Sequence, residues 1–156
     1  MATLTVGISK NFPTLAGAIA ASSAGDTIEV DASTCTDDFA TITHALTIRG
    51  IGGMAKLLAV AAPPNGKAIL TINADVTIDH VEFAGAKVPD GNGAGIRYEG
   101  GNLVLTSTRF HHNENGLLSA PSIDGTITID HSEFDHNGTG TGQTHNLYVG
   151  DIARLT

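Results

Sequence analysis

A chain of 156 residues is the right length for a single domain with one hydrophobic core. Sixteen Asp and Glu against eight Lys and Arg leave a formal net charge of −8 with no basic cluster, which excludes a surface for nucleic-acid phosphates. No apolar run is long enough for a membrane-spanning helix, the opening "MATLTV" lacks a signal-peptide pattern, and the single cysteine, Cys35, cannot form an internal disulfide.

The first predicted element is a strand over Ala2 to Ile8, "ATLTVGI". A short amphipathic helix follows over 13–23: Pro13 and Thr14 open it, Leu15, Ala18, Ile19 and Ser22 recur at helical spacing, and Gly25 stops it. From residue 27 to the end the chain reads as stacked coils. "LTIRG" from Leu46, "VTIDHVEFAG" from Val76, "LVLTSTRFHH" from Leu103 and "ITIDHSEFDH" from Ile127 are versions of one phrase, and Leu155 begins another; the anchors are 30, 27, 24 and 28 residues apart. A period of this size marks a solenoid, whose units bury their apolar faces only by stacking on one another.

Each copy alternates apolar and polar over its first four residues, as in Val76, Thr77, Ile78, Asp79, which is the period of a half-buried strand. An aromatic, Phe83, Phe110 or Phe134, stands five residues beyond the second apolar position and starts another inward stripe. No unit contains a helical pattern of the length an α-solenoid needs, and the period is too short for a propeller blade. Composition agrees, because 41% hydrophobic residues with only 4% aromatic and no Trp imply a core of Val, Ile, Leu and Ala in thin layers. Nineteen glycines exceed the average usage of roughly 7%. They gather at expected turns: "GIGG" at Gly50 to Gly53, "DGNGAG" at Asp90 to Gly95 and "GTGTG" at Gly138 to Gly142. The predicted fold is therefore all-β, a parallel β-helix of about five or six coils filling one domain over 1–156. The helix would cover its N-terminal end, where the first coil otherwise exposes an apolar layer and unpaired strand groups.

The run "GDTIEVDASTCTDDF", then "LTIRGIGG" and "VTIDHVEF", resembles the opening of right-handed parallel β-helix proteins of the pectin-lyase-like superfamily. The later "FHHNENG" and "FDHNGTGTGQTHNLYVG" resemble its bacterial branch, and the likeness covers nearly the whole chain. It departs at Ser33 and Cys35, where the family often has Gly and Tyr, and in stopping as a coil begins. The resemblance implies a right-handed helix, an extracellular location, polysaccharide as partner and, in the lyases, bridging calcium with a basic residue. No recognisable lyase motif surrounds Arg97 or Arg109, the arginines of the central repeats.

Aligning the copies predicts outward columns whose successive members stack about 4.8 Å apart. Glu82, Arg109 and Glu133 share one column; Asp79, Thr106 and Asp130 share another; Thr47, Thr77 and Thr128 share a third, which Val104 interrupts. His111 aligns with Asp135, His112 with His136 and Asn113 with Asn137, with His145 in the next turn, and His80 and His131 flank Ser107. Candidate catalytic residues are His111, His112, Asp135, His136 and Arg109, since imidazoles beside a carboxylate can move protons near neutral pH. His112 and His136 are also the candidate metal ligands. The competing reading makes the same columns a hydrogen-bonded ladder that only holds the coils in register. "DGNGAG" begins like a calcium loop, but Ala94 and Gly101 stand where EF-hand ligands are required.

Two functions follow as expectations. One is a carbohydrate-binding or carbohydrate-processing module, not catalytic as this segment alone, that uses the His111, His112, Asp135, His136 and Arg109 face. The other is a structural or self-assembling scaffold. Leu147, Val149, Ile152 and Leu155 have no following coil in the sequence, so homo-oligomerisation through the last coil is also expected.

Overall fold

A computed structural model describes residues 1–121, 124–139 and 144–156. The chain opens with β1 (Thr3–Val6) and the helix α1 (Leu15–Ala21). The first coil is β2 (Asp26–Asp31), β3 (Thr34–Thr36) and β4 (Ala40–Ile42). The second is β5 (Leu46–Ile51), β6 (Ala55–Leu58) and β7 (Ala68–Asn73), and the third is β8 (Val76–Asp79), β9 (Val81–Ala84) and β10 (Ala94–Gly100). The fourth is β11 (Leu103–Thr106), β12 (Arg109–His111) and β13 (Asn115–Ser119). The fifth is β14 (Thr126–Asp130), β15 (Glu133–Asp135) and β16 (Leu147–Tyr148), after which β17 (Arg154–Leu155) begins another.

Strands in equivalent places pair in parallel, giving a first sheet β1-β2-β5-β8-β11-β14-β17, a second β3-β6-β9-β12-β15 and a third β4-β7-β10-β13-β16. The protein is a parallel β-solenoid of about six coils.

The alternation in the phrase becomes the inside and outside of the first sheet. Val76, Ile78, Leu103, Leu105 and Ile127 are buried, while Thr77, Asp79, Val104, Thr106 and Thr128 are partly exposed in the intervening places. The expected registers hold: Val76 faces Leu103, Leu103 faces Ile127, and the Thr column is Thr3, Thr27, Thr47, Thr77, Val104, Thr128. Inside the second sheet Phe83, Phe110 and Phe134 stack with ring centroids 4.8 and 4.6 Å apart, and Leu57 extends the column. Ile129 and Phe134, in the fifth coil, are only partly buried, and Leu147, Val149 and Ile152 pack half-exposed against the same core.

Two kinds of corner let strands this short change direction. Between the first and second sheets stand His80, Ser107 and His131, with φ of 53°, 51° and 46°. Between the second and third stand Asp37, Gly85, His112 and His136, with φ of 53°, 83°, 57° and 50°. A single left-handed residue bends the chain sharply, and Asp, Asn and His enter that region more readily than most side chains. Beside the second row of corners, Asn113 and Asn137 donate from Nδ2 to the Phe83 and Phe110 carbonyls and accept from neighbouring amides. Those bonds tie successive coils together.

The cap corrects the expected bounds. The strand is Thr3–Val6 rather than Ala2 to Ile8, and the helix is Leu15–Ala21 rather than 13–23. Thr14 is its N-cap, in an extended conformation and accepting from the Gly17 amide, so Pro13 lies outside; Ser22 is also extended and ends the helix. Leu15, Ala18 and Ile19 are buried, and α1 packs on β1, β2 and β4. Of the expected "GTGTG" turn, residues 140–142 lie outside the described residues.

Candidate functional site

The second sheet carries the residues singled out from the sequence. Arg109 faces Glu82 on one side and Glu133 on the other, and His111 faces Asp135, as the aligned phrases require. The bonding differs from that register. Glu82 turns from Arg109 to Lys56 (3.0 Å) and to His111 Nε2 (2.8 Å). Arg109 clamps Asp135 with Nε and Nη2, both at 3.2 Å, and its Nε lies 3.5 Å from Glu133. His111 therefore bonds not to Asp135 but to Glu82 and, through Nδ1, to His112 Nδ1 at 2.7 Å. Asp135 also takes His136 Nδ1 at 2.6 Å.

These contacts select tautomers. In the neutral form His111 donates to Glu82 through Nε2, so its Nδ1 accepts the Nδ1–H of His112 and the outward Nε2 of His112 keeps a lone pair. His136 is oriented the same way by Asp135, and Asp79 and Asp130 hold His80 and His131 at 2.6 and 2.8 Å in a recurring Asp-His corner. The His112 and His136 rings lie parallel with centroids 5.4 Å apart, so their Nε2 lone pairs run side by side instead of converging on one point. Among the described residues no group of three or more His, Cys, Asp or Glu is placed to hold a metal ion. Asp79 and Asp130 stand two strand spacings apart, roughly 10 Å, with Thr106 between them.

Burial works against ionising Glu82, but the bonds from His111 and Lys56 outweigh it and set the carboxyl below its ordinary value. The His136 bond, with that from Arg109, lowers Asp135 as well. A carboxyl lowered on folding adds stability that is present above its unfolded value and is lost as pH falls through the folded one. Urea midpoints are accordingly expected to drop on acidification from about pH 5 to about pH 3. The double variant Glu82→Gln, Asp135→Asn should start less stable but lose less over that range, and an unchanged acid slope would contradict the assignment.

His145 does not continue the His column. Asn146 takes the next place in the Asn ladder, accepting from the Asn137 amide and Nδ2, which leaves His145 to stack on Tyr148 at 5.6 Å. That stack sits on the outer face of the third sheet, where the register places Thr71, Arg97, Leu118 and Tyr148 in one column. Around it opens a groove of about 430 Å³ lined by Asn92, Arg97, Leu118, Ser119, His145, Tyr148 and Asp151, among others. Tyr148 is 48% exposed. Two buried polar atoms of the groove residues, Asn92 Oδ1 and Arg97 Nε, have no hydrogen-bond partner; the carboxylate nearest Arg97 Nε is Glu99 at 3.9 Å, too far for a hydrogen bond. The loop carrying Asn92 is fastened by Glu114, whose buried carboxylate accepts from the amides of Val88 (2.9 Å) and Gly93 (2.7 Å). Gly93 of "DGNGAG" thus serves a carboxylate from the next coil and lies too close to it for a Cβ.

A larger cavity, about 590 Å³, opens between the N-terminal cap and the first coil beside Pro13, Cys35, Phe39 and Pro64. Burial pushes the Cys35 thiol up, away from the thiolate a nucleophile would need.

Stacked coils, a hydrogen-bonded polar ladder on one face and an open groove on another define a parallel β-solenoid. No protein-family model, curated protein or solved structure matches the chain.

Proposed function

We propose that the protein is a carbohydrate-binding β-solenoid module without turnover of its own, with its site in the third-sheet groove. The observation that carries this reading is the combination there of an unpartnered acceptor, an unpartnered donor and an exposed aromatic face. Saccharide recognition draws on the same set, hydroxyls for the polar atoms and a C–H face for the ring. The phrases resembling pectin-lyase-like β-helices support an origin among polysaccharide-handling proteins. The His and Arg109 face is the poorer candidate, because apart from the exposed Nε2 atoms of His112 and His136 its polar groups already bond to one another. Its carboxyls argue against acid catalysis too: a general acid needs a raised value, and Glu82 and Asp135 are lowered.

Calorimetric titration with a panel of oligosaccharides is expected to give saturable binding. Tyr148→Ala should weaken it about tenfold, equivalent to about 1.4 kcal/mol, and Tyr148→Phe should leave it nearly intact. Absence of binding across the panel would remove the reading. A scaffold without ligand is the second reading, favoured by the same hydrogen-bonded ladder, and it expects the groove variants to change nothing but stability.

A further inference from the structure

The polar atoms of the groove restrict the chemistry of what it holds. Asn92 Oδ1 can only accept a hydrogen bond, and Arg97 Nε can only donate one. A buried polar atom without a partner is costly in the free protein, so a ligand that supplies the partner gains affinity from it. A sugar hydroxyl both donates and accepts, so two on adjacent carbons can supply both partners once the two side chains turn to them. A carboxylate or sulfate has no proton to give. It would answer Arg97 and leave Asn92 unmatched, so a uronate would have to be seated by its own ring diol and is set apart from a neutral sugar by charge alone.

Charge points the same way. Among the described residues lining the groove Arg97 is the formal cation, Asp151 lies on the same lining, and Glu99 stands 3.9 Å from the guanidinium. The chain as a whole is at −8, so an acidic polymer meets repulsion on approach and finds one guanidinium already beside a carboxylate. Tyr148, backed by the His145 ring at 5.6 Å, adds an aromatic face two strand spacings along the column from Arg97, roughly 10 Å, so a ligand touching both runs from coil to coil.

We propose that the groove selects a neutral saccharide bearing a vicinal diol, seated along the solenoid axis between Arg97 and Tyr148, and discriminates against uronic-acid polymers. This rests on the carbohydrate-binding reading and narrows it. On binding, the Asn92 amide and the Arg97 guanidinium turn toward the ligand.

The test compares cello-, xylo- and manno-oligosaccharides with oligogalacturonate and oligoguluronate by calorimetry at low and at about 0.5 M salt, where exposed charges are screened within a few ångströms. At least one neutral series is expected to bind, with a Kd that salt changes less than about twofold. Asn92→Ala and Arg97→Lys, the latter keeping the charge but not the Nε–H, should each weaken it about tenfold without lowering the unfolding midpoint. The Arg97 Nε–H resonance of the unaltered protein should shift on titration, a readout that does not depend on any variant folding. Binding of the acidic oligosaccharides in preference would overturn the inference and leave the carbohydrate reading standing. Neutral binding that ignores both variants and leaves the Nε–H signal in place would overturn the groove as its seat. No binding by any series would remove both.

Discussion

Phe110→Ala is expected to lower the free energy of unfolding by about 3–5 kcal/mol. Phe110 is fully buried between two parallel rings, with Phe83 at 4.8 Å and Phe134 at 4.6 Å. Truncation removes both stacks, and the void cannot close, because the backbone ladders hold the coils about 4.8 Å apart. Each coil of a solenoid leans only on its neighbours, so the loss should also uncouple the fifth coil from the rest. Urea unfolding followed by circular dichroism should show a lower midpoint and a broader transition. Phe110→Leu is expected to cost less, since Leu57 occupies the same column two coils earlier. A loss under about 1 kcal/mol for the alanine variant would mean that the ring column contributes little.

Asp38→Ala should cost about 3 kcal/mol, because two hydrogen bonds to a charged acceptor are lost at once. The Asp38 carboxylate is nearly buried and accepts from the Leu15 amide at 2.6 Å and the Ala16 amide at 2.8 Å, while Thr14 serves Gly17. Without it two amides at the helix start lose their acceptor, and Leu15, 1% exposed, has no water to replace it. Asn at this position restores one good acceptor and should recover part of the loss. Hydrogen exchange locates the effect: amides of α1 and β1 should exchange faster in Asp38→Ala, with those of the third coil little changed. Uniform acceleration throughout the chain would instead make the cap part of one cooperative unit.

Both cases rest on contacts that differ in how far a reader of the sequence can see them. The Phe column was legible, because strand geometry sends alternate residues to opposite faces and stacking repeats that choice in every coil. The same logic fixed the inward places of Val76, Leu103 and Ile127 and the registers of Glu82, Arg109 and Glu133. The third sheet was not visible. "AILTIN" at Ala68–Asn73 is buried on five successive residues, so no period of two survives, and the connections before β10 and β13 differ greatly in length. Nor does register decide partners. Glu82 stands beside Arg109 yet bonds to Lys56 and His111, because side chains choose among everything within reach once the coils are stacked.

The strand period, the solenoid and the inward residues were therefore determined by the sequence alone, since they depend on spacing along the chain. Asp38 capping a helix more than twenty residues earlier, Glu114 fastening the loop that carries Asn92, and the groove between Arg97 and Tyr148 were decided only by the tertiary structure. Each joins segments whose sequence separation says nothing about their distance, and stacking of successive coils is what makes them neighbours.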